Sequence, residues 1–492
     1  MLDEILSIEE NNTWRLVDPH AGQRPIGLKW VYKLKKDAAG SIVKHKAPLV
    51  AKGYVQQAGI DFDEVFAPVA RLDSVRLLLA LAAQEEWIVH HMDVKSAFLN
   101  GDLEEEVYVV QPPGFIVEGQ EHKVYRLNKT LAWNTKLDST LKDLGFTRSP
   151  LEHGLYAHGE GRSRLLVGVY VDDLIIIGAD SKVIDGFKKQ MKGEFKMSDL
   201  GLLSFYLGIE VQQALGEIIL SQAAYASRIV EKASLMGCNP FKLSKESSAP
   251  PVDSTEYRSL VGSLRYLVNT RLGLAFSVGY VSRFMEKPTE EHLAAVKRIV
   301  RYVAGTIQYG CRYKRDSNCG LKGYSDSDLA GDVDTRKSTT GVLFFLGKSL
   351  SQKQRAVALS SCEAEYIAAA TAACQGIWLA RHLGDLRSTA TEAVELKVHN
   401  KSALALIKNP VFHDRSKHIQ TRYHFIRESW ENGEIMPDFV GTEGQLADIL
   451  TKALPRSSFE ELRTKLGLHE NLNQVEGHDI SQFPRIDSQK PQ

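Results

Sequence analysis

The stretch Leu165-Leu166-Val167-Gly168-Val169-Tyr170-Val171-Asp172-Asp173-Leu174-Ile175-Ile176-Ile177-Gly178 constrains this chain more than any other. Two apolar, β-branched runs flank a pair of adjacent aspartates. Runs of this length, bounded by turn residues, predict buried strands. Neighbouring side chains on a regular strand point to opposite faces, so both carboxylates approach one spot only at the tip of a tight hairpin. Two close carboxylates with oily flanks repel, and one is driven to stay protonated unless a divalent cation neutralises them. Mg2+ suits such a pair, because it takes carboxylate oxygens and keeps positions for water and phosphates. Aspartate is also a favoured turn residue in its own right. The pair alone does not separate the two readings.

A chain of 492 residues predicts about three domains. Its 43% hydrophobic and 25% charged content is that of ordinary globular protein with ample chain for cores. Basic and acidic residues balance at 61 each, so net charge selects no partner, but their distribution is uneven. Seven lysines and one acid, Asp37, fall between Lys29 and Lys52; six basic residues and no acid fall between Lys297 and Arg315. Either strip could face phosphates or simply be a solvated surface. The five cysteines are scattered, with no zinc-ligand spacing, which predicts a reducing intracellular compartment. Met1-Leu2-Asp3-Glu4-Ile5 does not read as a signal peptide. No apolar run is long enough to span a bilayer, so no membrane partner is expected.

In chain order, residues 29–54 predict a β-hairpin turning at Asp37-Ala38-Ala39-Gly40, with Pro48 marking an edge or a break in the return strand. Leu72–Gln84 predicts a buried helix. Trp87–Val94 predicts a strand with Asp93 near its end. Asp93 could be a helix cap, or a third carboxylate beside Asp172 and Asp173, a set suited to two-metal phosphoryl transfer. Thr289 caps a helix whose apolar side is Leu293, Val296, Ile299, Val300 and Val303. Lys297 and Arg301 share another face, and Gly305 stops it.

Asp93-Val94-Lys95-Ser96-Ala97-Phe98-Leu99-Asn100-Gly101 and Tyr170-Val171-Asp172-Asp173 closely resemble the reverse transcriptase of copia-type long-terminal-repeat retrotransposons. The likeness runs from about Asn11 to about Leu466, through Ala51-Lys52-Gly53-Tyr54, Phe66-Ala67-Pro68, Gln111-Pro112-Pro113-Gly114-Phe115 and Tyr206-Leu207-Gly208-Ile209-Glu210. Many motifs in the right order are far more specific than any one of them.

The resemblance implies an α+β fold: a right-hand polymerase of fingers, palm and thumb, followed by an α/β ribonuclease H-like domain. It implies fingers and palm over 1–220, thumb and connection over 221–318, the ribonuclease H-like domain over 319–468, and a disordered tail over 469–492. Asp93, Asp172 and Asp173 would carry Mg2+ or Mn2+, and Phe98, otherwise a plain core aromatic, would reject a ribose 2′-hydroxyl. Tyr206–Glu210 would shape the grip on the primer end. Lys46, Lys52, Lys297, Arg298 and Arg301 would meet nucleic acid. Asp326, Glu365 and Asp448 would hold the nuclease metals. Glu363 competes with Glu365, which is preferred because it directly precedes the Tyr-x-Ala run of its helix. Partners would be an RNA template, a DNA primer, an RNA–DNA hybrid and dNTPs. The setting would be intracellular, in cytoplasmic particles or the nucleus. A metal-dependent phosphatase built on paired aspartates leaves the ordered motifs unexplained. No Asp-Ser/Thr-Gly protease motif and no integrase-type zinc module occurs, as expected for the 3′ part of a polyprotein.

The chain also departs from the family. Thr130-Leu131-Ala132-Trp133-Asn134 stands where the family reads Leu-Tyr-Gly-Leu-Lys-Gln-Ala-Pro-Arg-Ala-Trp-Asn, so about eight residues, or about 12 Å of helix, are missing beside the nucleotide. His399 replaces an acid of the ribonuclease H set, and a neutral imidazole brings no negative charge. The strand before Ser351 is about four residues short, Pro48 replaces Arg, and Arg271-Leu272-Gly273-Leu274 replaces Arg-Pro-Asp-Ile. These changes predict an impaired copy of the enzyme.

Overall fold

In this computed structural model the described residues are 1–470 without 20–24, 37–41, 53–69, 96, 98–100, 103–105, 131–132, 234–242, 246–247, 318–319, 330, 333, 336–337, 347–348, 351–360 and 409–419. The expected turn at 37–40, the Phe98 gate and the tail beyond residue 470 lie outside them. Two units are distinct: residues 1–71 with 89–202, and residues 72–88 with 203–492. The predicted helix at Leu72–Gln84 is α1 (Leu72–Glu85), whose residues 74–84 are all buried; it groups with the second unit.

The first unit is built on β1 (Ile88–Val94), β2 (Thr147–Arg148), β3 (Leu155–His158), β4 (Leu165–Tyr170), β5 (Asp173–Gly178) and β6 (Met197–Leu202), in the order β2-β3-β4-β5-β1-β6. Every residue of Leu165–Val169 and Leu174–Gly178 is buried, as the unbroken apolar runs require of strands covered on both faces. Helix α2 (Trp133–Asp143) buries Trp133, Leu137 and Leu141. Helix α3 (Ser181–Glu194) starts where the Asp180 carboxylate accepts the Lys182 N–H, and buries Ile184, Phe187 and Met191. Toward the N-terminus, Leu28–Trp30 pairs with Leu49–Ala51 and Lys33–Lys36 with Ile42–Lys46. The expected hairpin is present, and Pro48 sits in the break between its two halves.

The second unit holds two sheets. In one, β7 (Phe205–Tyr206), β8 (Ile209–Ala214), β9 (Glu217–Ser221), β10 (Tyr309–Lys314) and β16 (Leu468–Glu470) run in that order, all antiparallel, with α1 packed on β9 and β10. Helices α4 (Ala223–Lys232), α5 (Ser254–Leu267) and α6 (Glu290–Ala304) share an apolar core that includes Ile229, Tyr257, Leu264, Val296 and Val300. Thr289 caps α6 as expected, and His292 closes the box by accepting the Thr289 N–H at Nδ1, 3.0 Å away.

The other sheet contains β11 (Leu321–Ser327), β12 (Thr340–Leu346), β13 (Ser349–Leu350), β14 (Val394–Val398) and β15 (Ile435–Phe439), in the order β13-β12-β11-β14-β15. β11, β14 and β15 are parallel, and β12 and β13 antiparallel. Helix α7 (Ser361–Arg387) lies on β11 through alanines, and a Cβ at Gly376 would come within 2.9 Å of Phe344, so a side chain there would push the helix off. Asp448 opens the single turn α8 (Asp448–Thr451); Lys452 is extended, and Pro455 precedes a second helix, Arg456–Lys465.

Candidate functional site

In the first unit the register is decisive. Tyr170 pairs with Asp173, so the turn between β4 and β5 contains only Val171 and Asp172. The expectation that both aspartates share the tip is corrected: Asp172 is in the turn and Asp173 is the first residue of β5. Val171 has φ +59°, a conformation unusual for a β-branched residue. Its carbonyl accepts the indole N–H of the buried Trp133 at 2.7 Å, and Trp133 is wedged edge-on against Phe195. The Asp172 carbonyl accepts the Val94 N–H at 2.9 Å, fixing the turn to the end of β1 beside Asp93.

Asp93 and His91, two apart on β1, project from the same face. His91 Nε2 lies 2.7 Å from Asp173 Oδ1, and His91 is 8% exposed. Asp93, Asp172 and Asp173 are each half-buried. Sequence reading missed His91; the period-two spacing from Asp93 was the available signal. On the opposite face, Lys188 of α3 places Nζ 2.6 Å from His90 Nδ1 and 3.0 Å from Asp199 Oδ1. Burial, and then the Lys188 charge, lower the His90 pKa.

In the second unit Asp326 is the penultimate residue of β11, Glu365 is in the second turn of α7 and Asp448 opens α8; they are 2%, 5% and 4% exposed. Glu363 is half-buried, so Glu365 is the one carried into the interior. Burial, reinforced by the neighbouring Asp326 charge, pushes the Glu365 carboxyl up to about 9, and its Oε2 has no hydrogen-bond partner. Burial lifts Asp448 to about 6, against the opposing hydrogen bond from Lys452. Lys452 Nζ lies 2.8 Å from Asp448 Oδ1 and 4.0 Å from Asp326 Oδ2, and Thr451 Oγ1 donates to Asp326 Oδ2.

His399 follows β14, one position beyond the register pair Ser325–Val398, and so lies level with Asp326 along the sheet. Its Nδ1 contacts the Val440 carbonyl at 3.1 Å and its ring stacks on Phe439. Among the described residues no three of His, Cys, Asp and Glu already form a metal's ligand shell. Three buried carboxylates with an unpartnered oxygen nevertheless fit a hard divalent cation.

The remaining predicted residues are dispersed. Lys46 and Arg298 are exposed, and Lys52, Lys297 and Arg301 half-buried. Glu210 is a cap: its carboxylate accepts from Ser221 Oγ at 2.9 Å, Ala223 N at 3.1 Å and Ala224 N at 2.9 Å, holding the start of α4. The Tyr266 hydroxyl donates to the Leu207 carbonyl in the β7–β8 turn.

The profile of the family "Reverse transcriptase (RNA-dependent DNA polymerase)" matches residues 11–246. Over 96% of its length the chain is 40% identical to the retrovirus-related Pol polyprotein from transposon TNT 1-94 of Nicotiana tabacum, of which it spans 38%. It is 32% identical to the putative transposon Ty5-1 protein YCL074W of Saccharomyces cerevisiae, covering 98% of that protein with 56% of this chain. In fold it is similar to the foamy viral protease-reverse transcriptase solved in complex with dsDNA, at a TM-score of 0.51 and 12% identity, over 90% of this chain and 82% of that one. The motifs, the hairpin that carries Asp172 and these likenesses agree: the chain belongs to the reverse transcriptase family, as the Pol region of a copia-type retrotransposon.

Proposed function

We propose that the chain derives from an RNA-directed DNA polymerase with an attached ribonuclease H-like nuclease, and that this copy has lost most of both activities. The supporting observation is the two-residue turn that carries Asp172 and is held to the strand of Asp93 by the Val94 N–H. We assign fingers and palm to 1–220, thumb and connection to 221–318, and the nuclease to 319–468, in intracellular particles. The substrates in this reading are dNTPs on an RNA template with a DNA primer, and then the RNA–DNA hybrid.

Asp93 and Asp172 would hold Mg2+ or Mn2+ in the palm, with Asp173 oriented by His91; Asp326, Glu365 and Asp448 would hold it in the nuclease. When bound, the cation neutralises these carboxylates and polarises phosphate oxygens. The chain's own work is placement. Trp133 fixes the turn, His91 fixes Asp173, and buried β4 and β5 keep both from drifting. A misplacement of about 1 Å costs about a hundredfold in rate, which is why the shortened segment before Trp133 predicts weak polymerisation. His399, level with Asp326, removes one negative charge from the nuclease.

The test is primer extension on an RNA template with Mg2+ and dNTPs, with Asp172→Asn as control and a second chain in which the missing segment is restored. Silence in the natural chain and activity in the restored one is the expected result. Robust Asp172-dependent extension by the natural chain would overturn the impairment. The second reading, a non-catalytic nucleic-acid-binding protein, is favoured by His399; it predicts salt-dependent hybrid binding and no turnover in either chain.

A further inference from the structure

We infer that Lys452 serves as a built-in cation of the Asp326–Glu365–Asp448 cluster, so that this site takes one divalent ion rather than two. The inference rests on the reading of that cluster as a metal site. With an ion bound, the three carboxylates are held ionised and carry three negative charges. A fourth acid at position 399 would make four, the charge that two divalent ions balance, but the residue there is His399. Lys452, half-exposed, contributes one positive charge at the edge of the cluster, 2.8 Å from Asp448 Oδ1 and 4.0 Å from Asp326 Oδ2. The remaining two negative charges match one divalent ion.

Geometry supports the same division. Asp448 Oδ1 and Glu365 Oε2 are both buried without a well-directed hydrogen bond, but Asp448 Oδ1 has the Lys452 ammonium 2.8 Å away and Glu365 Oε2 does not. Asp326 and Glu365 would therefore hold the single ion, with the ammonium remaining beside Asp448. An ordinary surface ion pair contributes little. Here the lysine side chain is 42% exposed, but both carboxylates facing it are almost fully buried, 2% and 4% exposed, so the pair is not an ordinary surface one.

The experiment counts Mn2+ bound to the full chain by electron paramagnetic resonance, with the palm silenced by Asp93→Asn and Asp172→Asn. One ion is expected, lost on Asp326→Asn. Lys452→Met removes the competing charge and should tighten that ion by at least about tenfold. Lys452→Arg should leave its affinity within about twofold, because it keeps the charge. Lys452→Met combined with His399→Asp should bind two ions. Lys452→Gln is the alternative neutral variant should Lys452→Met not fold, and the count in the unmodified cluster stands without either. Two ions with Lys452 intact, or unchanged affinity in the neutral variants, would overturn the role of Lys452 and leave the metal-site reading standing. No Asp326-dependent ion would overturn both.

Discussion

His91 Nε2 and Asp173 Oδ1 are 2.7 Å apart, which ties the second aspartate of the hairpin to the strand that carries Asp93. A histidine in that position orients a carboxylate, and losing such a partner typically costs about 10–100-fold in metal affinity. His91→Ala is expected to weaken Mn2+ binding at the palm by that range, measured in a chain silenced at the second cluster by Asp326→Asn. Unchanged affinity would mean the hairpin alone places Asp173.

Val171 holds φ +59° between two buried strands. The left-handed region costs a non-glycine residue about 1–2 kcal/mol, against a glycine entropy penalty of about 0.5–1 kcal/mol. Val171→Gly should therefore leave the first unit as stable or up to about 1.5 kcal/mol more stable, while loosening the turn that presents Asp172. Urea denaturation decides the first point: a clear loss of stability would show that the Val171 side chain contributes more packing than its backbone costs.

His90 gives a pH dependence of definite sign. Its pKa is lowered below the ordinary 6.5 by burial and by Lys188. Through that window the unfolded chain takes up a proton that the folded chain refuses, so stability is retained above pH 6.5 and lost as pH falls below it. Denaturation at pH 7.5 and 5.5 should show the loss, and His90→Asn should shrink it. An identical pH difference in the variant would assign the effect to other groups.

Glu210 belongs to the stretch expected from resemblance to grip the primer, yet its carboxylate accepts backbone N–H groups at the start of α4. A charged cap at a helix N-terminus is worth about 1–2 kcal/mol. Glu210→Gln should lower stability by about that amount and leave hybrid affinity unchanged. A fall in hybrid affinity without a fall in stability would return Glu210 to the interface.

Features fixed by local pattern were legible in the sequence. The β4–β5 strands, α1, the caps of α6 and the break at Pro48 follow from apolar periodicity and turn chemistry. Features that depend on strand order were not. His91 meets Asp173 because β5 lies beside β1, and Lys452 meets Asp326 because α8 returns to β11. Nothing local states either adjacency. The turn was misjudged by one residue because register, set by the Tyr170–Asp173 pair, decides which residues leave the ladder.

Helix α1 has eleven consecutive buried residues and packs on strands formed by residues 217–221 and 309–314. During synthesis it leaves the ribosome long before those strands exist. At about 5–20 residues per second its apolar surface waits on the order of ten seconds or more for a partner. The nascent chain therefore carries an obligatory sticky interval, and a fragment ending at residue 202 would never leave it. Expression of the first unit alone should succeed only when residues 72–88 are replaced by a short polar linker.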